Sequence, residues 1–305
     1  MRLGVLDVGS NTVHLLVVEA HRGAHPWPAY SEKSVLRLAE RIGPDGKLHH
    51  DAADDLVTAV ASARKAANAH EVQDMLAFAT SAVRDVSNSS KVLARVREET
   101  GVDLQVLPGR DEARLTFLAV RRWFGWSAGR LLVLDIGGGS LEIAAGIDEE
   151  PELALSLPLG AGRLTRDRLS SDPPPGVEVD DLRAYAERQL QSIEVGDWDR
   201  ATATSKTFRT LARLAGAAPS GAGFRATRSL TLTGLHQVIG FIKHMSSSAL
   251  AEMDGVSPAR AHQLLAGAVV AEATMRHLGL HEVDICPWAL REGVILRRLD
   301  AISAL

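Results

Sequence analysis

The chain has 305 residues, of which 46% are hydrophobic and 24% charged, with a formal net charge of −4. This length and composition are typical of a globular protein of about two domains. The acidic balance argues against general nucleic-acid binding, and no run of about 18 apolar residues is present to cross a membrane. We therefore expect neither nucleic acid nor a membrane as a partner.

The cysteine content and the first residues indicate the compartment. Cys286 is the only cysteine, so no disulfide can form within the chain, and we expect this residue to pack in the core. The opening segment, MRLGVLDVGS, lacks the pattern of a secretion signal because its apolar stretch is short and ends at Asp7. We therefore expect a cytoplasmic protein.

The first half of the chain alternates predicted strands with predicted helices. This alternation is typical of layered α/β domains. The predicted strands cover residues 2–8, 13–19, 75–80 and 102–107, and the predicted helices cover 51–70, 89–100 and 111–123.

The second half is predicted to be more helical. The pattern breaks at FGWSAGR (124–130), where we place the boundary between one domain at 1–125 and another at 126–305. A strand-turn-strand unit restarts at 131–146. Further strands are predicted at 153–160, at the start of 200–216 and at EVDI, and helices at the end of 200–216 and at 161–169, 180–194, 231–244, 257–278 and 288–303.

Two segments of the chain repeat one another. LGVLDVGSNT (3–12) and LLVLDIGGGS (131–140) each read as a strand followed by a glycine turn, and a second strand follows each turn. A spacing of 128 residues is too long for a solenoid. The repeat predicts two related α/β halves whose turns face each other across a cleft. The alignment pairs Asp7 with Asp135, Gly9 with Gly137, Thr12 with Ser140 and His14 with Glu142.

The glycine turns carry the chemistry. Successive backbone N–H groups in such a turn hold phosphate oxygens, and a carboxylate at the strand end can hold Mg²⁺. One copy alone would be a tight hairpin with a capping aspartate, but two matched copies favour phosphate binding. For His14 we expect a structural role, and for Trp123, Trp126 and Trp288 a place in the core or at an interface.

Two D-x-G-x-x-[ST] turns resemble the actin-like ATPase superfamily. More specifically, six segments resemble the exopolyphosphatase/guanosine pentaphosphate phosphatase (Ppx/GppA) family, in order along nearly the whole chain. The resemblance implies an α/β fold of two actin-like (ribonuclease H-like) domains with a central interdomain cleft. The segments are LDVGSNTVHLLV, ATSAVRDVSN, LPGRDEARLTFLAV, LDIGGGSLEI, LPLGAGRLT and ALREGVI.

The resemblance also implies residue roles. Glu112 is expected to be the catalytic base that activates a water, although the residue pattern alone fits an ordinary first-turn helix carboxylate. Asp7, Asp135 and Glu142 are expected to serve Mg²⁺ or another divalent cation. The expected phosphate-binding residues are Gly9, Ser10, Asn11, Thr12, Arg84, Gly137, Gly138, Gly139, Ser140 and Lys206.

The leading hypothesis is an exopolyphosphatase that releases orthophosphate from the ends of short polyphosphate chains. We expect short polyphosphate because longer members of the family continue into further domains, and grip on long polyphosphate is in doubt without them. Lys206 stands where the family has a glycine, which disfavours a nucleotide-base pocket. Lys206, Arg209 and Arg213 fit either an anion channel or a solvated helix face. The alternatives are a guanosine pentaphosphate (pppGpp) 5′-phosphatase, a non-catalytic polyphosphate or alarmone sensor, and an actin-like kinase. Homodimers are common among soluble proteins and in the family that the chain resembles, so we expect a homodimer.

Overall fold

The computed structural model describes residues 1–19, 27–223 and 225–303 and contains two β-sheets flanked by helices. The first sheet has five strands in the order β3-β2-β1-β4-β5. They are β1 (Arg2–Val8), β2 (Thr12–Glu19), β3 (Pro28–Val35), β4 (Asp74–Ala79) and β5 (Gln105–Val106).

The second sheet has six strands in the order β10-β11-β9-β6-β7-β8. They are β6 (Leu131–Ile136), β7 (Leu141–Gly146), β8 (Leu153–Leu157), β9 (Arg200–Thr204), β10 (Ser229–Thr231) and β11 (Glu282–Ile285).

The two sheets share one topology. In each, a strand pairs antiparallel with the next, which pairs antiparallel with an edge strand, and the first strand pairs parallel with the fourth. Asp7 lies opposite His14 in the first sheet, and Asp135 lies opposite Glu142 in the second. The predicted repeat of two α/β halves is therefore confirmed at the level of strand register.

Four helices occur in the first half and seven in the second, within the described ranges. None of these helices is long and apolar enough to span a membrane. They are α1 (His50–Ala69), α2 (Ser81–Arg84), α3 (Ser89–Thr100), α4 (Gly109–Phe124), α5 (Ala161–Arg168), α6 (Gly176–Leu190), α7 (Ser205–Leu214), α8 (Leu232–Ile242), α9 (Ser247–Ala251), α10 (Leu264–His277) and α11 (Leu290–Ser303).

Two helices pack against the sheet of the opposite half. Phe117 and Val120 of α4 lie in one apolar cluster with Val133 of the second sheet. Ile295 of α11 lies in another with Leu3 of the first sheet. The helix that carries Glu112 is therefore held by the second sheet, although it follows the first sheet in sequence. Residues 125 and 126 remain our predicted domain boundary.

Several boundaries differ from the predictions. Strand β3 was not predicted, because its residues alternate between exposed and half-buried at the sheet edge and give little apolar signal. Helix α6 begins at Gly176 rather than near 180, directly after Pro175 in extended conformation. Cys286 is fully buried as predicted, and Trp123 packs edge-on against Trp288, but Trp126 is 62% exposed and does not belong to the core.

Candidate active site

A cleft of about 750 Å³ lies between the two halves. Both copies of the repeat contribute to its walls, and Glu112 of α4 lies between them. Arg84 and Gly139 do not line this cleft but contact residues that do. The predicted site residues that line it are Asp7, Gly9, Ser10, Asn11, Thr12, Glu112, Asp135, Gly137, Gly138, Ser140, Glu142 and Lys206.

The two glycine turns are in contact with each other. A Cβ atom added to Gly138 would lie 2.5 Å from the Cβ of Ser10, a separation that real side chains do not adopt. The Ser10 hydroxyl in turn lies 3.2 Å from the Ser81 hydroxyl at the end of β4. Gly138 is therefore required by the close approach of the two halves.

Helix α5 fixes the carbonyl groups of the second turn. The backbone N–H of Ala161 donates to the Gly137 carbonyl at 3.0 Å, and the backbone N–H of Arg163 donates to the Gly138 carbonyl at 2.8 Å. The Arg163 side chain donates through Nε to the Gly139 carbonyl at 2.8 Å. All three glycine carbonyls are therefore directed at α5.

This arrangement creates a phosphate cradle. A trans peptide holds its C=O and the following N–H in opposite directions, so the N–H groups of Gly138, Gly139 and Ser140 face away from α5. These three groups find no hydrogen-bond acceptor within residues 1–19, 27–223 and 225–303. Unpaired N–H groups that share one direction are what an anion-binding turn requires.

The first turn is built in the same way by a different element. The Ala39 N–H, in the 3₁₀ turn Leu38–Arg41, donates to the Ser10 carbonyl at 3.1 Å, and the Leu36 N–H donates to the Asn11 carbonyl at 2.9 Å. The Asn11 side chain is only 2% exposed, and neither of its amide atoms has a partner in the described structure. A buried, unpaired amide in a cleft is well placed to bind a ligand.

Burial is the main cause of the raised pKa values of the cleft carboxyl groups, and a neighbouring carboxyl charge adds to it at Asp135 and Glu142. Burial raises the pKa of Asp135 to about 7. Burial, with the nearby charge of Asp135, raises the pKa of Glu142 to about 8, while a hydrogen bond from the Ser156 hydroxyl at 2.9 Å favours the charged form. Burial also raises the pKa of Asp7, which Arg291 and Arg260 oppose.

Glu112 occupies the first turn of α4, where the helix dipole favours a negative charge. Burial raises the pKa of Glu112 well above its usual value, and the charge of Glu142 raises it further. Arg84 opposes this shift, because its Nη1 donates to a Glu112 oxygen. A carboxylate that is buried but kept oriented by one arginine is suited to accept a proton from water.

The acidic residues fit a magnesium ion that is shared with substrate. No three His, Cys, Asp or Glu side chains of the described residues are placed to enclose a metal by themselves. Magnesium usually takes one or two carboxylates and fills its remaining positions with water and phosphate oxygens. Asp7, Asp135 and Glu142 supply oxygen donors only, and burial raises the pKa of each, so a nearby cation would stabilise their charged forms.

Three arginines of the cleft, Arg228, Arg260 and Arg291, were not among the residues that the sequence indicated for anion binding. Arg260 lies in the loop before α10, and Arg291, inside the quoted ALREGVI segment, lies on α11 with its Nε 3.9 Å from an Asp7 oxygen. The Arg260 guanidinium forms no hydrogen bond or ion pair with any residue that the structure describes, and burial and Arg209 lower its pKa. Arg260 has no motif around it, so sequence reasoning had no signal for it.

The cationic residues of α7 and His14 are the remaining residues that the sequence analysis singled out. Lys206, Arg209 and Arg213 all line the cleft, which favours the anion channel over a solvated helix face. His14 is largely buried and lines the cleft, with Nε2 2.8 Å from the Ser31 hydroxyl and 3.3 Å from Arg291 Nη1.

A third repeated segment was missed from the sequence. Ala-Thr-Ser spans the junction of β4 with α2 (79–81) and the junction of β9 with α7 (203–205), and a serine from each copy lines the cleft. Ser205 has a positive φ of 80°, an uncommon conformation for a residue other than glycine. The repeat therefore extends beyond the glycine turns to the strand–helix junctions after β4 and β9.

Comparison with known proteins agrees with this geometry. A model of the Ppx/GppA phosphatase family matches residues 17–302. Exopolyphosphatase 1 of Mycobacterium leprae is 60% identical over 99% of this chain and 90% of its own length, and exopolyphosphatase 1 of Mycobacterium tuberculosis H37Rv is 60% identical over 99% and 89%. The crystal structure of an exopolyphosphatase from Cytophaga hutchinsonii covers 99% of this chain and 98% of its own, with a TM-score of 0.88 and 24% identity. This last likeness confirms the two-domain fold.

Proposed function

The chain belongs to the Ppx/GppA phosphatase family, and from this premise we propose that it is an exopolyphosphatase. It hydrolyses the terminal phosphoanhydride bond of inorganic polyphosphate and releases orthophosphate. The observation that carries the proposal is the pair of facing cradles with Glu112 buried between them in one cleft. The names of the relatives that are 60% identical over almost the whole chain support the same substrate.

The proposed mechanism uses the backbone to hold the phosphate and a side chain to activate water. The N–H groups of Gly138, Gly139 and Ser140 bind oxygens of the terminal phosphoryl group, and Asn11 binds from the other half. Glu112 takes a proton from a water in line with the scissile bond. The water oxygen bonds to phosphorus, the bridging P–O bond breaks, and the shortened chain leaves. Phosphoryl transfer depends mainly on such positioning and on charge neutralisation.

Asp7, Asp135 and Glu142 are the proposed ligands of a divalent cation. When bound, Mg²⁺ neutralises charge on the phosphate oxygens. Without a cation, any of these carboxyl groups that ionised would repel an anionic substrate. We therefore expect EDTA to abolish most orthophosphate release and added Mg²⁺ to restore it. Full activity in excess EDTA would remove the metal from the proposal.

The cationic wall is the proposed path of the polyphosphate tail. Lys206, Arg209 and Arg213 lie on α7 along the cleft, and Arg260 faces the same space. Each added phosphate brings negative charge, which these side chains can neutralise. No Phe, Tyr or Trp occurs among the described residues that line the cleft, so a guanine base would find none of these rings to stack on. The lining therefore favours polyphosphate over pppGpp.

A substrate panel tests this function. The protein is incubated separately with tripolyphosphate, a long polyphosphate, pppGpp and ATP, each with Mg²⁺, and orthophosphate is measured over time. We expect the highest kcat/KM for short polyphosphate. Release from pppGpp alone would replace the proposal with a pppGpp 5′-phosphatase, and release from none of them, with binding retained, would make the protein a sensor.

A further inference from the structure

A chain of charged side chains connects Glu112 to the glycine turn of the second half. Arg163 of α5 donates through Nε to the Gly139 carbonyl at 2.8 Å and pairs through Nη2 with Asp85. Asp85 also accepts from Arg84 Nε at 2.8 Å, and Arg84 Nη1 donates to Glu112. Five consecutive groups therefore link the phosphate cradle to the proposed base.

The chain crosses between the two halves of the molecule. Gly139 and Arg163 belong to the second half, whereas Asp85 and Arg84 follow β4 of the first. Glu112 lies on α4, which packs on the second sheet. Since the Arg163–Asp85 ion pair joins the halves, it can form only when they are as close as they are here.

Arg84 has little freedom to hold Glu112 in any other way. Arg84 Nη1 also donates to the Leu107 carbonyl at 3.0 Å, and its Nε is fixed by Asp85. The Glu112 carboxylate has no hydrogen-bond partner other than Arg84 among the residues described. Loss of Asp85 would therefore release one end of the only side chain that orients the base.

The pairs are sheltered enough to matter. The exposed fractions of the side chains fall from 32% for Asp85 and 26% for Arg163 to 20% for Arg84 and 9% for Glu112. Isolated ion pairs in open solvent contribute little, but a partly buried network is coupled, so removal of one member affects the others.

We propose that Arg163 and Asp85 are positioning residues. They orient Glu112 to activate the attacking water only when the glycine turn and the two halves are in their closed arrangement. This inference rests on the proposed hydrolysis. Neither residue touches the substrate: Arg163 holds the cradle from behind, and Asp85 holds Arg84. Closure around the phosphate and alignment of the base would then be one event rather than two.

A double-mutant cycle tests the proposal. Asp85→Asn, Arg163→Gln and the double variant are compared with the wild type for tripolyphosphate hydrolysis. We expect Asp85→Asn to lower kcat about 10- to 100-fold with KM changed less than about threefold, because the cradle keeps its bond to Arg163. The double variant should be no more than about twofold worse in kcat than the poorer single variant, since both act through one chain.

Two further variants separate positioning from general damage. Arg163→Lys keeps the charge and should recover part of the kcat lost in Arg163→Gln. Arg130 has a similar exposure of 29% and a bidentate pair with Glu152 away from the cleft, so Arg130→Gln should leave kcat and KM unchanged.

The outcomes discriminate between the two proposals. If the kcat losses of the two single variants multiply in the double variant, the positioning role is overturned. It is also overturned if the variants change only KM. In both cases the enzyme remains an exopolyphosphatase. A wild-type protein that releases no orthophosphate from polyphosphate would contradict the proposed function and this inference with it. A fall in thermal midpoint that alone accounts for the lost activity would also overturn the role.

Discussion

At the residue scale, Arg260 holds a positive charge in the cleft without a direct protein partner in the described structure. Asp7 and Asp135 attract it from a distance, and Arg209 repels it. An anionic substrate would complete this environment. Arg260 therefore acts in our account on the bound phosphate chain and not on the stability of the fold.

We predict that Arg260→Gln lowers kcat/KM for tripolyphosphate about 10- to 100-fold, the value of one charge-assisted hydrogen bond. The free energy of unfolding without substrate should change by less than about 1 kcal/mol, because the side chain loses no hydrogen bond or ion pair. Steady-state kinetics and urea unfolding measure the two effects. Unchanged kinetics, or a large loss of stability, would show that Arg260 is structural.

The raised pKa of Asp135 predicts how stability depends on pH in EDTA. A carboxyl whose pKa rises on folding, here from 3.8 to about 7, stabilises the folded state while it is protonated in that state. This contribution is complete below about pH 4 and is lost as the pH rises through about 7, a loss of about 2–4 kcal/mol.

We therefore expect Asp135→Asn to be more stable than the wild type at about pH 8 in EDTA and similar to it near pH 4. Calorimetric melting across this pH range measures the stability of both proteins. Added Mg²⁺ should reduce the difference in stability between the variant and the wild type at high pH. A variant that is less stable than the wild type at pH 8 would mean that the charged carboxylate is stabilising in the cation-free protein.

At the element scale, α5 and the 3₁₀ turn Leu38–Arg41 have the same task in the two halves. Each donates backbone hydrogen bonds to the carbonyls of one turn and so aims the following N–H groups into the cleft. The two supports also contact each other, since Arg166 donates to the Ala39 carbonyl at 2.7 Å.

Gly160 tests this role of α5. A Cβ atom at Gly160 would overlap the backbone of Gly139 and Ser140, whereas one at Gly176, at the start of α6, would meet open space. We predict that Gly160→Ala costs about 1–3 kcal/mol of stability and more than about tenfold in kcat/KM. Gly176→Ala should be neutral or slightly stabilising, because a helical alanine is favoured over glycine. Equal behaviour of the two variants would contradict the assignment.

The sequence predicted those elements that carry a strong apolar period. β1, β6 and α1 lie within one or two residues of their predicted positions, because their buried faces are continuous. The 3₁₀ turn Leu38–Arg41 and β3 were missed, since edge strands and short turns depend on tertiary contacts that no local pattern records. The helix predicted at 257–278 begins at Leu264, and the loop before it carries Arg260.

At the scale of the whole molecule, the repeat of the glycine turns predicted the fold, and it also predicted that both turns face one cleft. It could not predict that α4 and α11 pack on the sheet of the opposite half, because that exchange is decided by the surfaces of the assembled sheets. For the same reason, the path from Arg163 to Glu112 joins segments that are far apart in sequence.

Contact between the two turns gives a prediction about closure. A methyl group at Gly138 would press on Ser10 of the other half, whereas one at Gly137 would have only ordinary contacts, the nearest at 3.5 Å. We therefore expect Gly138→Ala to reduce kcat/KM at least about tenfold more than Gly137→Ala. Small-angle scattering should show a more open molecule for Gly138→Ala. A scattering curve identical to that of the wild type would contradict the expected steric effect of the added methyl group.

The central claim is that Glu112 activates the water that attacks a phosphate held between the two turns. Its most direct test is orthophosphate release from tripolyphosphate by the wild type and by Glu112→Gln, with the dissociation constant of tripolyphosphate measured for both. We predict a fall in kcat of about 10²–10⁴-fold for Glu112→Gln, with the dissociation constant changed less than about threefold. A variant that turns over at the wild-type rate would contradict this account.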